Sequence, residues 1–259
     1  MTKTDIHPTS VVHPWARIGV GVKIGPYSVI GPDVTLGDRC VVGSSCLIEG
    51  VTTIGSNNRI FHGASVGTEP QDLKYEGGRT ELVIGDHNVI REFCTLNTAT
   101  DEGDATAVGS HCLLMAYAHV AHNCVIGDHV ILANAVNLAG YVIIDDHAII
   151  GGMTPVHQFV RIGKHAFIGG GSRVEMDIPP YLKIAGNPPA VYGVNTVGLA
   201  RRGYSDERRT EIKKMYKLLY RSGLNTSQVT EKLEGDEFSG PDVEEMLKFL
   251  KSCKRGIQK

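Results

Sequence analysis

Residues 24–42 read IGPYSVIGPDVTLGDRCVV, and Ile24, Ile30, Leu36 and Val42 stand six apart. The same step extends in both directions. Of the 29 multiples of six from 6 to 174, 26 are Ile, Leu or Val, and only Asp72, Gly78 and Glu102 interrupt the series. Self-similarity at a short fixed period marks a stack of identical structural units, and it decides the fold before any local propensity does.

A second position keeps step with the first. Four residues after the aliphatic stands something small or β-branched, as at Ser28, Val34, Cys40, Cys46, Ala64, Cys94, Cys112, Ala118, Cys124, Val130, Ala148, Ala166 and Ser172. Glycine often follows the aliphatic directly. This is the hexapeptide repeat of left-handed parallel β-helices. Each hexad supplies one short strand and one turn, and three hexads close a triangular coil of eighteen residues. Coils then stack at about 4.8 Å, the parallel-strand spacing. The aliphatic fills the prism, and a larger residue at the second position would overpack its narrow interior.

The fold class expected is therefore all-β with a small α domain. Residues 1–190 form the β-helix, with loops at 68–82 and 99–106 where the repeat breaks. Insertions in a solenoid gather on one face, often the binding face. The repeat ends after Pro179–Pro180, and AGNPPAVYGVN (185–195) reads as a link to a helical domain at 191–259. There SDERRTEIKKMYKLLYRSG (205–223) has Ser205 as N-cap and Gly223 as C-cap. TSQVTEKLEG (226–235) and PDVEEMLKFLKSCKRG (241–256) read as two further helices.

A formal net charge of −2 leaves no electrostatic footprint for nucleic acid. No apolar run approaches the ~18 residues of a membrane span, and MTKTDIHPTS lacks the apolar core of a signal peptide. A cytoplasmic protein is expected. Five of the six cysteines occupy the small inward position and read as compact hydrophobes, not metal ligands.

MAYAHVAHNC (115–124) carries His119 and His122. At eighteen residues per coil, His122 stacks beneath Gly140 and then Gln158, and Asn123 stacks beneath Tyr141. His122 stands two residues past the inward Val120, so its ring should lie outside the prism. An imidazole, a backbone N–H and a carboxamide in one column suit a general base beside an oxyanion donor. A zinc reading is weaker. Hexapeptide carbonic anhydrases place histidines five apart, and the residue five before His122 is Tyr117.

The prism, PQDLKY (70–75), LLMAYAHVAHNCVIG (113–127), LAG (138–140), IGGMTPVHQF (150–159), GVNTVGLARRG (193–203) and the helical tail together resemble the UDP-N-acetylglucosamine 3-O-acyltransferase family, across essentially the whole chain. The resemblance implies transfer of a 3-hydroxyacyl chain from acyl carrier protein to the sugar 3-hydroxyl, the first step of lipid A synthesis. No cofactor is implied. It makes His122 the general base and the Gly140 N–H the oxyanion donor. It places substrate contacts at Asp72, Lys74, His119, His157 and Gln158, with Asn195, Arg201 and Arg202 serving the nucleotide. The position of Gly170 is the family's acyl-length stop, and glycine there implies a long chain.

Three positions depart from the family pattern. Asn123 replaces a frequent acid, Tyr141 a common histidine, and Asn97 another. The Asn123 amide oxygen can still accept from the imidazole and fix its tautomer, but it brings no charge. These changes leave open a 3-amino sugar acceptor or an inactive paralogue. The family implies a homotrimer, with active sites in the clefts between prisms. Arg161, Lys164 and Arg173 are candidate docking groups for the acidic carrier protein. The ordinary alternatives are a solvated pair for Arg201–Arg202, a loop ion pair for Asp72–Lys74, and a plain turn glycine for Gly170.

Overall fold

The computed structural model describes residues 3–259. Every third strand pairs in parallel with its counterpart one coil on, which gives three sheets and a triangular prism. Face 1 runs from Asp5–Ile6 to Phe167–Ile168, face 2 from Val11–Val12 to Pro155–Val156, and face 3 from Arg17–Ile18 to Arg161–Ile162. The coil is a left-handed parallel β-helix. The aliphatic series from Ile24 to Val174 lines its interior, with both loops excepted. Ile6, in the first strand described, is 40% exposed and pairs only with Ile24 on the next coil among the described residues.

The small inward position turns out to favour a donor as well as small size. Ser10 and Ser28 hydroxyls donate to the carbonyls of Gly25 and Gly43 at 2.7 and 2.8 Å. The thiols of Cys40, Cys46, Cys112 and Cys124 reach the corresponding turn carbonyls at 3.0–3.2 Å. A buried carbonyl without a partner is costly, and these side chains satisfy it from inside the wall. Burial raises these thiols, Cys94 and Cys112 to about 11 and Cys124 to about 12, so they are poor nucleophiles.

The residue three past an inward aliphatic takes a left-handed backbone at most corners, Tyr27, Arg39, Tyr117, Asn123, Tyr141 and His165 among them but not Asp33 or Val51, and this is where the chain turns a prism edge. Stacked rings mark the edges: Phe93 on Tyr117 between faces 1 and 2, Tyr141 on Phe159 between faces 2 and 3, and five histidines between faces 3 and 1.

Both loops leave the edge between faces 2 and 3, after Ser65–Thr68 and after Thr95–Asn97. Arg59 pairs with Val89, thirty residues on instead of eighteen, and Val89 with Leu113, twenty-four on. The insertions are thus twelve and six residues long. Both are multiples of the repeat, so the series resumes in phase.

The link expected at 185–195 is instead mostly strand. Leu182–Gly186 extends face 1 and pairs antiparallel with Pro189–Val194. Asn187 and Pro188 form its turn, and the prolines there hide the strands behind turn residues. Four helices follow: α1 (Thr196–Arg201), α2 (Asp206–Arg221), α3 (Thr226–Leu233) and α4 (Pro241–Ser252). Ser205 caps α2, and Gly223 takes the left-handed position just past its end. The short helix α1 has too few residues to show a period. Leu199, Ile212, Met215, Val229, Val243 and Phe249 form a second core, and Tyr181 joins it to the last coil. None of the described helices is long and apolar enough to cross a membrane.

Candidate active site

The edge between faces 2 and 3 carries the histidine column. Val120 pairs with Leu138 and Leu138 with Val156, which fixes the register. In the turns that follow, Tyr141 N–H donates to His122 C=O and Phe159 N–H to Gly140 C=O, both at 3.1 Å. The His122 side chain lies outside the prism yet is only 12% exposed, because both loops close over it.

Gly140 is required here. A Cβ on it would come 2.4 Å from His122 Cε1 and 2.5 Å from Nε2. The imidazole therefore occupies the space that any other residue at 140 would fill. The Gly140 N–H is buried and takes no hydrogen-bond partner among the described residues, while the N–H groups on either side are bonded. The N–H at this turn position is free at Ala116, Asn134 and Gln158 as well, so what sets Gly140 apart is the imidazole nitrogen packed against it.

His122 Nδ1 lies 3.0 Å from Asn123 Oδ1. That oxygen also receives the Thr100 N–H at 3.1 Å and the Thr100 hydroxyl at 2.9 Å. A backbone N–H can only donate, so the amide end facing His122 is the oxygen and the ring proton belongs on Nδ1. Nε2 then carries the lone pair. It faces Asp72 Oδ2 at 3.5 Å, a carboxylate brought in by the first loop. Asp72 therefore turns to His122 and makes no ion pair with the Lys74 ammonium; only the Lys74 backbone N–H meets it, at 3.0 Å from Oδ1.

Tyr141 stands edge-on to the His122 ring at 5.4 Å and stacks on Phe159 at 5.0 Å. Its hydroxyl meets Thr100 Oγ1 at 3.1 Å and Asp101 Oδ2 at 3.3 Å. His119 faces outward from face 2 with Nδ1 2.7 Å from Thr95 Oγ1, and burial together with the nearby His122 lowers its pKa. His157 and Gln158 lie two coils above the His122 turn on the same edge, both exposed. Asn97 is buried and donates to Thr68 and to the Glu69 carbonyl, leaving its Oδ1 without a partner.

The remaining candidates lie elsewhere on the chain. Gly170 stands exposed on the edge between faces 1 and 2, beside Gly152. Arg202 approaches the edge between faces 3 and 1, where its charge adds to burial in lowering His147 and, behind burial and the His147 charge, in lowering His165. Arg201 and Asn195 border an open groove of about 580 Å³ with Phe167, Lys183 and Tyr192. Asn195 also has a structural task that sequence reading missed. Its Oδ1 caps α1 at the Gly198 N–H and its Nδ2 donates to the His165 carbonyl. The docking expectation weakens as well. Arg161, Lys164 and Arg173 pair within the chain with Asp145, Asp146 and Glu175, so none presents a free charge.

Reasoning from sequence missed Thr100, Asp101 and Asp104. They sit in an acid-rich loop without periodicity, where only contact with the column gives them a role.

Comparison with known proteins shows what the whole chain resembles. A family model described as Udp N-acetylglucosamine O-acyltransferase, domain 2, matches residues 177–258. One for bacterial transferase hexapeptide repeats matches 16–50 and 105–140. A Myxococcus xanthus protein named acyl-[acyl-carrier-protein]–UDP-N-acetylglucosamine O-acyltransferase is 49% identical over 97% of this chain and 98% of its own length. A relative of the same name from Rippkaea orientalis is 52% identical over 99% of this chain and 92% of its own. Among solved structures, LpxA from Acinetobacter baumannii superposes with a TM-score of 0.94 at 42% identity, covering 98% of this chain and 99% of that one. The Arabidopsis UDP-N-acetylglucosamine acyltransferase gives 0.85 at 38%, covering 98% and 100%.

Proposed function

The chain belongs to the UDP-N-acetylglucosamine O-acyltransferase family, and from that premise we propose how it works. It transfers a 3-hydroxyacyl group from acyl carrier protein to the 3-hydroxyl of UDP-N-acetylglucosamine, the opening acylation of lipid A synthesis. The observation that carries the chemistry is the His122 ring lying against a glycine whose N–H is free.

In this reading His122 Nε2 takes the proton of the sugar 3-hydroxyl as its oxygen attacks the thioester carbonyl. The Gly140 N–H receives the developing oxyanion. Collapse expels the carrier thiolate, and Nε2 returns the proton to it. Asn123 keeps the other ring proton on Nδ1, and the Asp72 carboxylate faces the imidazolium while it exists. His119, Lys74, Tyr141, His157 and Gln158 are assigned to the sugar and the acyl donor. Arg201 and Arg202 are assigned to the diphosphate, whose oxygens suit a guanidinium fork, and Asn195 holds α1 in place beside them.

Three observations support a homotrimer. Gly170, His122 and Arg202 lie toward three different edges of one prism, so a single cleft combining them needs neighbouring copies. Face 1 also presents an aligned row of half-buried apolar residues, Val89, Leu113, Ile131, Ile149 and Phe167. And the loops do not wholly enclose His122, whose side chain stays 12% exposed. All six cysteines are unpaired, which fits a cytoplasmic setting.

The test is acyl transfer from 3-hydroxyacyl carrier protein to UDP-N-acetylglucosamine, followed by the appearance of the 3-O-acyl sugar. Transfer from donors of ten, twelve and fourteen carbons should be fastest with the longest, since Gly170 leaves room beside Gly152. Absence of any transfer contradicts the reading. A monomer on sizing chromatography contradicts the shared cleft.

A further inference from the structure

A carboxylate beside a catalytic imidazole accepts a hydrogen bond from either of its two oxygens. An amide does not, because one end accepts and the other donates. With Oδ1 of Asn123 toward His122, the ring proton sits on Nδ1 and Nε2 is free to act as a base. With the amide reversed, Nδ2 would donate to Nδ1, the proton would move to Nε2, and that nitrogen could no longer receive one. The chain therefore needs something that a carboxylate at 123 would not require, namely a lock on the amide's orientation.

The loop between Asn97 and Ala105 supplies it. At one end of the amide, the Thr100 N–H and hydroxyl donate to Oδ1 at 3.1 and 2.9 Å. At the other, Nδ2 donates to Asp104 Oδ2 at 3.2 Å. A backbone N–H has no acceptor character and a carboxylate no donor character, so each end meets a partner of fixed sign. Reversal would set donor against donor and acceptor against acceptor. The residue itself is pinned: Asn123 is 9% exposed, has a left-handed φ of 57°, and donates its backbone N–H to Thr106 Oγ1 at 2.8 Å. Tyr141 steadies Thr100 from outside, with its hydroxyl 3.1 Å from Thr100 Oγ1.

We propose that Thr100 and Asp104 are positioning residues that hold the Asn123 amide one way round and so fix His122 as the Nδ1–H tautomer. This rests on His122 being the base, but the tautomer can be read without turnover, so failure of one claim is distinguishable from failure of the other.

The experiment uses ¹⁵N-labelled full-length protein at a pH where the imidazole is neutral. Long-range ¹⁵N–¹H correlations identify which ring nitrogen of His122 bears the proton, with His122→Gln assigning the signals. Wild type should show Nδ1–H alone. The Thr100→Val, Asp104→Leu double variant removes two of the three locking hydrogen bonds, leaving only the residue-100 backbone N–H, and should show both tautomers. Its kcat should fall about tenfold, as when one molecule in ten is competent, with KM for the nucleotide sugar within about twofold. Thr100→Ser with Asp104→Glu keeps a hydroxyl and a carboxylate, and should retain the single tautomer. Adding Asn123→Asp to the double variant should recover kcat, because a carboxylate has no wrong end. An Nε2–H wild type overturns the proposal. So does a double variant that keeps both the tautomer and the rate, or a loss that neither the conservative pair nor Asn123→Asp relieves.

Discussion

Two edges of the prism are rich in histidine and differ in almost everything else. Between faces 3 and 1, His87, His111, His129, His147 and His165 lie ring over ring at 4.7–4.9 Å, within about 11° of parallel. Between faces 2 and 3, the His122 ring lies against a glycine instead of another ring. The difference is one position in the hexad. Ladder histidines occupy the left-handed corner itself, where each side chain packs on its counterpart one coil away. His122 stands one residue earlier, and Asn123 takes the corner. That shift gives the imidazole a partner at Nδ1, a carboxylate near Nε2 and a free amide above it. In the ladder, His147 Nδ1 is buried with no partner at all. Register within the repeat, rather than the number of histidines, separates packing from chemistry.

The contrast is broken most easily by removing one ring from each edge. His122→Ala should lower kcat by about 10²–10⁴, the range for a lost general base. His129→Ala, at an exposed rung, should change it by less than about threefold, as surface substitutions do. Equal losses in the same transfer assay would erase the distinction between the two edges.

Gly140→Ala sharpens it from the backbone side. The new methyl would fall within 2.5 Å of the imidazole, so the ring must swing away from the donor. A loss of about 10²–10³ is expected, comparable to deleting an oxyanion donor. The melting temperature should move little, since the ring can swing toward the cleft. Activity within about twofold of wild type would show that the ring and the amide do not act together.

The ladder should announce itself in acid rather than in turnover. Burial, and then the Arg202 charge at His147 and the His147 charge at His165, depress the last two rungs to about 4 and about 3. The unfolded chain takes up these protons near 6.5, before the folded one does. Stability is therefore complete above about pH 6.5 and declines as pH falls toward those lower values. Melting temperature should drop by several degrees between about pH 7 and 5. Replacing His165 with Phe, which keeps the stack without the titration, should flatten that slope. A slope unchanged by His165→Phe would move the acid sensitivity elsewhere.

Much of this was legible in the sequence for a physical reason. Every inward aliphatic meets the same environment, so the sixfold series is dense, and insertions of twelve and six residues leave its phase intact. Once the coil is eighteen residues, the column of His122, Gly140 and Gln158 follows by counting. Histidines eighteen apart at 111, 129, 147 and 165 announce the ladder by the same rule, although it takes the coordinates to show the rings stacked. The loops are different. Nothing periodic ties Asp72 to His122, or Thr100 and Asp104 to Asn123, because a loop's partners are set by where it lands. Asn195 shows a third case. Its family motif suggests a ligand contact, while its place one residue before α1 makes it a cap, and six helical residues are too few to reveal that from pattern alone.

The most direct measurement is a structure with UDP-N-acetylglucosamine bound. It should place the sugar 3-hydroxyl about 2.6–3.2 Å from His122 Nε2, the reach of a general base, on the side of the ring open to the cleft. A 3-hydroxyl turned away from Nε2, or a sugar seated against the histidine ladder, would contradict the account.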